Sequence, residues 1–268
     1  MSLDQPFQTL SLVPSHVTGN VLMWELDPAF NEPGPYSYTV QSSQTPDFSQ
    51  LVTDESVGDT YTYTDTSCER SNFDDSWYYR VILNTGAPNQ YVSPNLLYGQ
   101  RKEDRWKYLK AKEIVRKESL RLRKYTGVEV FLLKYKIYGE TDEGAVDPIT
   151  GLPLGDCTSD YGTGIVGGYH EPLAIWASRE QKQKTKNLEG QMGLGIEEAD
   201  ILNLRILSFP IVSVRDIIVF PDDDRRFRVL GEPAPVRTRF PGTHIFVTQL
   251  LTLRLIPPSD TVYKIPIS

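Results

Sequence analysis

The chain has little sulfur and little imidazole. Its 268 residues include two cysteines, three histidines and three methionines. Cys68 and Cys157 lie far apart in sequence. Each is therefore expected as a thiol rather than half of a disulfide, which suits a chain made in a reducing cytoplasm. His16, His170 and His244 stand away from any nucleophile pattern, and the sequence has no G-x-S-x-G, H-E-x-x-H or P-loop. No established catalytic signature is therefore left, and no enzymatic activity or cofactor is expected. No apolar run approaches the roughly 18–20 residues of a membrane span. The opening MSLDQPFQTL lacks a basic n-region and a long apolar h-region, so no signal peptide is expected.

Bases are nearly missing from residues 1–100, where Arg70 and Arg80 face twelve acids for a net charge of −10. The positive charge is concentrated in residues 101–124, with eleven bases against four acids, a net of +7. The whole chain carries −7. Such segregation divides the chain into 1–100, 101–126 and 127–268.

Residues 1–100 read as β. Short runs rich in Val, Tyr, Thr and Leu are separated by Pro, Gly, Asp and Asn at sandwich-like spacing. Strands are expected at 9–13, 20–26, 36–42, 60–65 and 78–83. In the second, strict alternation places Trp24 with Leu22 and Leu26 on one apolar face. In the fifth, Tyr79, Val81 and Leu83 share a face. Trp24, "YSYTVQSSQTPDFSQ", "TYTYTDTS" and "SWYYRVI" together resemble a fibronectin type III domain over about residues 8–98. The resemblance implies a core role for Trp24. It also implies a corner role for Tyr79, whose hydroxyl would pin a turn while its ring packs. A fold of this kind does not specify a function. Carbohydrate stacking on its aromatics is the rival to simple core packing.

"EDRWKYLKAKEIVRKESLRLRKY" lacks Gly and Pro and is dense in helix formers, so a helix is expected over 101–126, ending at Tyr125-Thr126-Gly127. Its apolar residues Trp106, Leu109, Ile114, Val115, Leu120 and Leu122 fit a 3.6 period loosely. The apolar surface is thus expected to be shared between partners. Arg105, Lys112, Arg116 and Arg123 are the candidate interface residues. Eleven bases also invite phosphate contact. Against it stand the acidic segment upstream, which would repel a duplex, and the lack of a groove-reading motif. Acidic surfaces of neighbouring subunits are the better match, and no sequence-specific nucleic acid is expected.

"YGTGIVGGY" spells G-x-G-x-x-G at Gly162, Gly164 and Gly167. A dinucleotide loop needs a buried strand before it and a helix opening at the third glycine. Here a polar, turn-rich stretch precedes, and Pro172 would break a helix starting at Gly167 in its second turn. Gly162, Gly164, Gly167 and Gly168 are instead expected to fold the backbone tightly on itself. A strand is expected at 173–178.

Residues 127–172 resemble a segment of tailed-bacteriophage structural proteins, through Tyr161, Gly162, Thr163, Gly164, Gly167, Gly168, Tyr169 and Pro172. In that family the motif follows cysteine pairs like a zinc knuckle. Here Cys157 keeps one position and Asp160 stands at another. With His170 they fall short of four Cys/His ligands, so no metal is expected. Residues 178–200 are polar and Gly-punctuated, which reads as a long exposed loop. Residues 200–268 read as β again. Strands are expected at 217–220 and 227–230 around a charged tip at 222–226, with a short edge strand in "DTVYKIPI". The acid pair Asp74-Asp75 and residues 222–224 read as turn chemistry.

The order of these elements, with Asp216–Ile218, "RFRV" and "DTVYKI", resembles the small β-barrel of phage head-completion and neck proteins. The expected class is therefore mainly β: a fibronectin type III-like sandwich, a basic connecting helix, and a barrel-like domain with long loops. The resemblance implies a virion protein of the phage neck. Its partners would be copies of itself in a ring, together with portal, adaptor and tail proteins, and it would have no membrane partner.

Overall fold

The computed structural model describes residues 5–13, 19–30, 32, 34–66, 77–86, 89–98, 105–142, 144, 146–147, 150, 154, 157–180, 201–240 and 243–267. The polar span 181–200 lies outside these residues, as do His16, Cys68, Asp74, Asp75, Glu103 and Asp104. The protein is mainly β, with one α-helix among the described residues. By packing, the chain divides into two units: residues 1–115 with 136–170, and residues 116–135 with 171–268.

The first unit holds two antiparallel sheets. Strands β1 (Phe7–Val13), β2 (Asn20–Leu26) and β5 (Thr62–Asp65) form one, in the order β1-β2-β5. Strands β3 (Ser37–Ser43), β4 (Leu51–Val57), β6 (Trp77–Asn84) and β7 (Gln90–Val92) form the other, in the order β4-β3-β6-β7. Strand β8 (Leu96–Tyr98) also pairs with β6. Alternation sets the core. Trp77, Tyr79, Val81 and Leu83 of β6 are buried, while the residues between them are half-buried. They share one apolar cluster with Leu22, Trp24, Leu26, Tyr38 and Val40. The Trp24 and Tyr38 rings lie 5.2 Å apart.

Sequence patterning misses β4. Only Thr53 is buried along it, so the strand carries no apolar alternation. It sits at the sheet edge, paired with β3 alone among the described residues.

The second unit is built on a closed six-stranded antiparallel barrel. Strands β9 (Val128–Leu133), β10 (Leu173–Glu180), β11 (Ile201–Leu207), β12 (Ile217–Phe220), β13 (Arg225–Val229), β14 (Ala234–Phe240) and β15 (Thr243–Leu255) form its sheet. The ring runs β9-β10-β11-β15-β13-β12 and returns to β9, with β14 added outside on β15. Each ring strand contributes two alternate residues to one core: Val130 and Leu132, Ile175 and Ala177, Leu204 and Ile206, Ile218 and Phe220, Phe227 and Val229, Leu251 and Leu253. Side chains thus fill the barrel, as expected at this strand number.

Helix α1 (Arg105–Arg121) continues into a π-helical turn at Leu122–Thr126. Gly127 ends it. A Cβ there would lie 2.3 Å from the Leu122 carbonyl oxygen and 3.2 Å from that of Ala177, so only glycine lets the chain turn so close to β10. No described helix is long and apolar enough to cross a membrane.

Two sequence expectations are corrected at the C-terminus. "DTVYKIPI" forms no edge strand: Thr261–Lys264 is a 3-10 turn, whose N-cap Asp260 accepts from the Val262 amide at 3.0 Å. Nor is Arg226 part of a solvated tip. It is 3% exposed in β13, where its guanidinium donates to the Val262 and Ile265 carbonyls and pairs with Asp224 at 3.0 Å. The carbonyls of the turn needed donors, and a buried guanidinium supplies several at once.

Candidate functional site

The glycine segment packs in the first unit as a closed knot. Gly162, Gly164, Gly167 and Gly168 all have positive φ, at 75°, 82°, 78° and 55°. Asp160, fully buried, organises them. One carboxylate oxygen accepts from the Gly162 amide at 3.1 Å and the other from Gly164 at 2.6 Å. The Asp160 carbonyl accepts from the Thr163 amide and hydroxyl at 3.1 and 2.7 Å. The amides of Ile165, Val166, Gly167, Gly168 and Tyr169 go to the Thr163 hydroxyl and to the carbonyls of Glu140, Ser159, Ile165 and Gly167. Every amide from Gly162 to Tyr169 is therefore donated within the chain. The nest that a phosphate would occupy is filled by the protein's own carboxylate.

A strap from Lys136 to Asp142 runs beside this knot. The Lys136 amide donates to Gly168, the Asp142 amide to Gly164, and Thr141 bridges to Ile165. The Lys136 ammonium pairs with Asp59 at 2.8 Å. Tyr138 enters the same apolar cluster as Trp24, and its hydroxyl meets that of Tyr38 at 3.2 Å. Burial raises the pKa of both phenols well above the usual range, so they remain neutral. His170 is buried with its ring 4.9 Å from Tyr61 and 5.9 Å from Tyr138.

Of the residues weighed as metal ligands, Cys157 is half-buried, His170 is packed among rings, and both Asp160 oxygens are taken by amides. Among the described residues no three His, Cys, Asp or Glu side chains are placed to hold an ion. Of the aromatics weighed for carbohydrate stacking, Trp24, Tyr38 and Tyr79 are fully buried, while Tyr63 and Tyr78 are half-buried. The Tyr79 hydroxyl donates to Asp65 at 2.8 Å and accepts from Asn20 at 2.9 Å, which joins the end of β5 to the start of β2.

The candidate interface residues lie along α1 and its π-helical turn. Arg105 opens the helix, and its side chain lies outside the described residues. Lys112 is half-buried; Arg116 and Arg123 are exposed. None of these three has an ion-pair partner among the described residues, whereas Lys110 pairs with Glu113 and Arg121 with Glu118. Val115, Ser119 and Leu122 are buried, spaced three and four apart on one face. Of the apolar residues noted in sequence, Trp106, Leu109 and Leu120 are exposed instead.

Sequence reasoning missed two features. The Asp160 nest had a local signal: an aspartate two residues before a glycine is the composition of an Asx-turn. The second had none. Lys134 and Asp216, buried and 3.4 Å apart, come together from positions distant in sequence. Lys134 donates to Ser213 at 2.6 Å, and Asp216 accepts from the Tyr135 and Ser213 amides at 2.9 and 2.7 Å. Burial pushes the Asp216 carboxyl up to about 6 despite the opposing pull of Lys134. Compared with known protein families, characterised proteins and solved structures, the chain matches none.

Proposed function

We propose that this chain is a structural protein of a tailed-phage virion, a neck component that assembles as a ring between portal and tail. Its first unit would be a fibronectin type III-like module. The order β1-β2-β5 against β4-β3-β6-β7, the buried Trp24 and the Tyr79 tether support that part. The phage-like glycine segment and the closed barrel, in that order along one chain, support the neck assignment.

The observation that carries the assembly reading is α1. This helix leaves Leu109, Leu120, Arg116 and Arg123 on its surface, outside the two apolar clusters that form the cores. A surface of that composition suits a partner that covers apolar area and supplies acid. The function follows from geometry rather than chemistry: repeated copies bury these faces and close on themselves. Imaging the purified chain, together with its mass in solution, tests the reading. Discrete rings are the expected result, and a single chain at the highest attainable concentration would overturn it.

A further inference from the structure

Two exposed surfaces of this chain match each other in charge, apolar content and spacing. The first is a stripe on α1. Trp106, Leu109, Glu113, Arg116 and Leu120 follow at intervals of three and four residues, and so share one helix face. Trp106 is 49% exposed, Leu109 47% and Leu120 37%; Glu113 on this face is paired with Lys110. Arg116 is exposed in the middle of the stripe and Arg123 beyond it.

The second surface is β4. Its outer edge is unpaired among the described residues. Leu51 is 44% exposed and Val52 50%, and Asp54 and Glu55 follow, both exposed. Asp54 accepts from Gln41 at 3.0 Å and Glu55 from the Tyr63 hydroxyl at 2.8 Å. These donors are neutral, and neither carboxylate has an ion-pair partner among the described residues. The surrounding segment reinforces the sign, because residues 1–100 carry a net of −10 and residues 101–124 a net of +7.

We infer that the α1 stripe of one copy docks on the β4 edge of a second copy, with Leu109 against Leu51 and Val52, Arg116 against Asp54 and Glu55, and Arg123 extending the positive face beyond them. This rests on the ring reading above and names the two faces that would meet. The spacing agrees. From Leu109 to Arg116 is about 10 Å along a helix axis at ~1.5 Å per residue. From Val52 to Glu55 is about 10 Å along a strand at ~3.4 Å per residue. Covering an edge strand with a helix also removes the hazard of open backbone groups, and arginine donors can reach the exposed carbonyls. Leu109 and Leu120 on the one surface and Leu51 and Val52 on the other are all exposed. Packing α1 against a second α1 would bring two strongly positive helices together, which is unfavourable. A contact between unlike faces propagates from copy to copy, as a ring requires.

Charge reversal on the full chain tests this. Arg116→Glu/Arg123→Glu makes both faces acidic, and Asp54→Lys/Glu55→Lys makes both basic. Each variant alone is expected to fall to the mass of one chain in light scattering, with its far-ultraviolet circular dichroism unchanged. Mixing the two is expected to restore assembly with the variants alternating, because each then offers the face the other lacks; misfolded variants would not recover on mixing. If the helix variant dissociates while the β4 variant assembles normally, α1 is an interface but β4 is not its partner, and this inference falls while the ring reading stands. If both variants assemble like the native chain, the inference falls in the same way. A native chain that is itself a single copy overturns both.

Discussion

Asp160 accepts two amide donors with its carboxylate in a site without solvent. Replacing it by alanine leaves the Gly162 and Gly164 amides buried without acceptors. The expected loss is about 2–4 kcal/mol in urea unfolding of the chain, and a loss below about 1 kcal/mol would mean that the knot stands without its carboxylate. Two glycines separate strain from collision. Gly168 has φ of 55°, and a Cβ there would meet the Asp160 carbonyl oxygen at 2.4 Å; Gly231 has φ of 68° with nothing within 4 Å. Gly231→Ala should cost about 1 kcal/mol for the left-handed backbone alone, and Gly168→Ala more than about 2 kcal/mol because backbone must also move. Equal shifts in the thermal midpoint would refute that ordering.

Asp216 ties stability to pH. Its carboxyl is raised from 3.8 to about 6 in the folded chain because desolvation outweighs the attraction of Lys134. Between those values the folded state holds a proton that the unfolded state has released. The contribution of this group therefore favours folding at low pH and is lost as pH rises through the window, by at most about 1.4 kcal/mol per pH unit. The stability of the native chain relative to Asp216→Asn should accordingly fall between about pH 4 and pH 6 and then level off. A difference that stays flat across that range would contradict the assignment.

At the scale of elements, the barrel and its C-terminal turn depend on β13. Arg226 joins β13 to the turn by donating to Val262 and Ile265. Arg226→Ala should cost about 2–4 kcal/mol, since buried carbonyls lose their donor. Limited proteolysis should then cut near residue 260 sooner than in the native chain; unchanged cleavage would show that the turn is held by packing alone. The helix is held differently. Val115, Ser119 and Leu122 bury one face, and the π-helical turn brings Gly127 against β10. Trp106, Leu109 and Leu120 stay exposed, which is why the apolar period of the sequence is loose.

At the scale of the whole molecule, charge segregation predicts salt-dependent self-association. If α1 meets acid on a neighbouring copy, raising ionic strength from low salt to about 1 M, where the screening length falls to about 3 Å, should weaken assembly. Replacing Arg105, Lys112, Arg116 and Arg123 together by glutamine should abolish assembly even at low salt. Assembly by that variant equal to the native chain's, at every salt concentration, would remove the electrostatic part of the reading.

Sequence alone determined what local periodicity encodes. The alternation around Trp24 and Tyr79, the uninterrupted run of helix formers before Gly127, and Pro172 after the glycines are each set by a few neighbouring residues. Strand β4 was not legible because an edge strand with one buried side chain has no pattern to read. The C-terminal turn and buried Arg226 were not legible because they satisfy one another across the fold. Closure of the barrel through β11 and β15, and the pairing of Lys134 with Asp216, are decided by tertiary structure alone. They join residues whose separation in sequence leaves no local trace, and their energy arises only when water has been excluded from both partners.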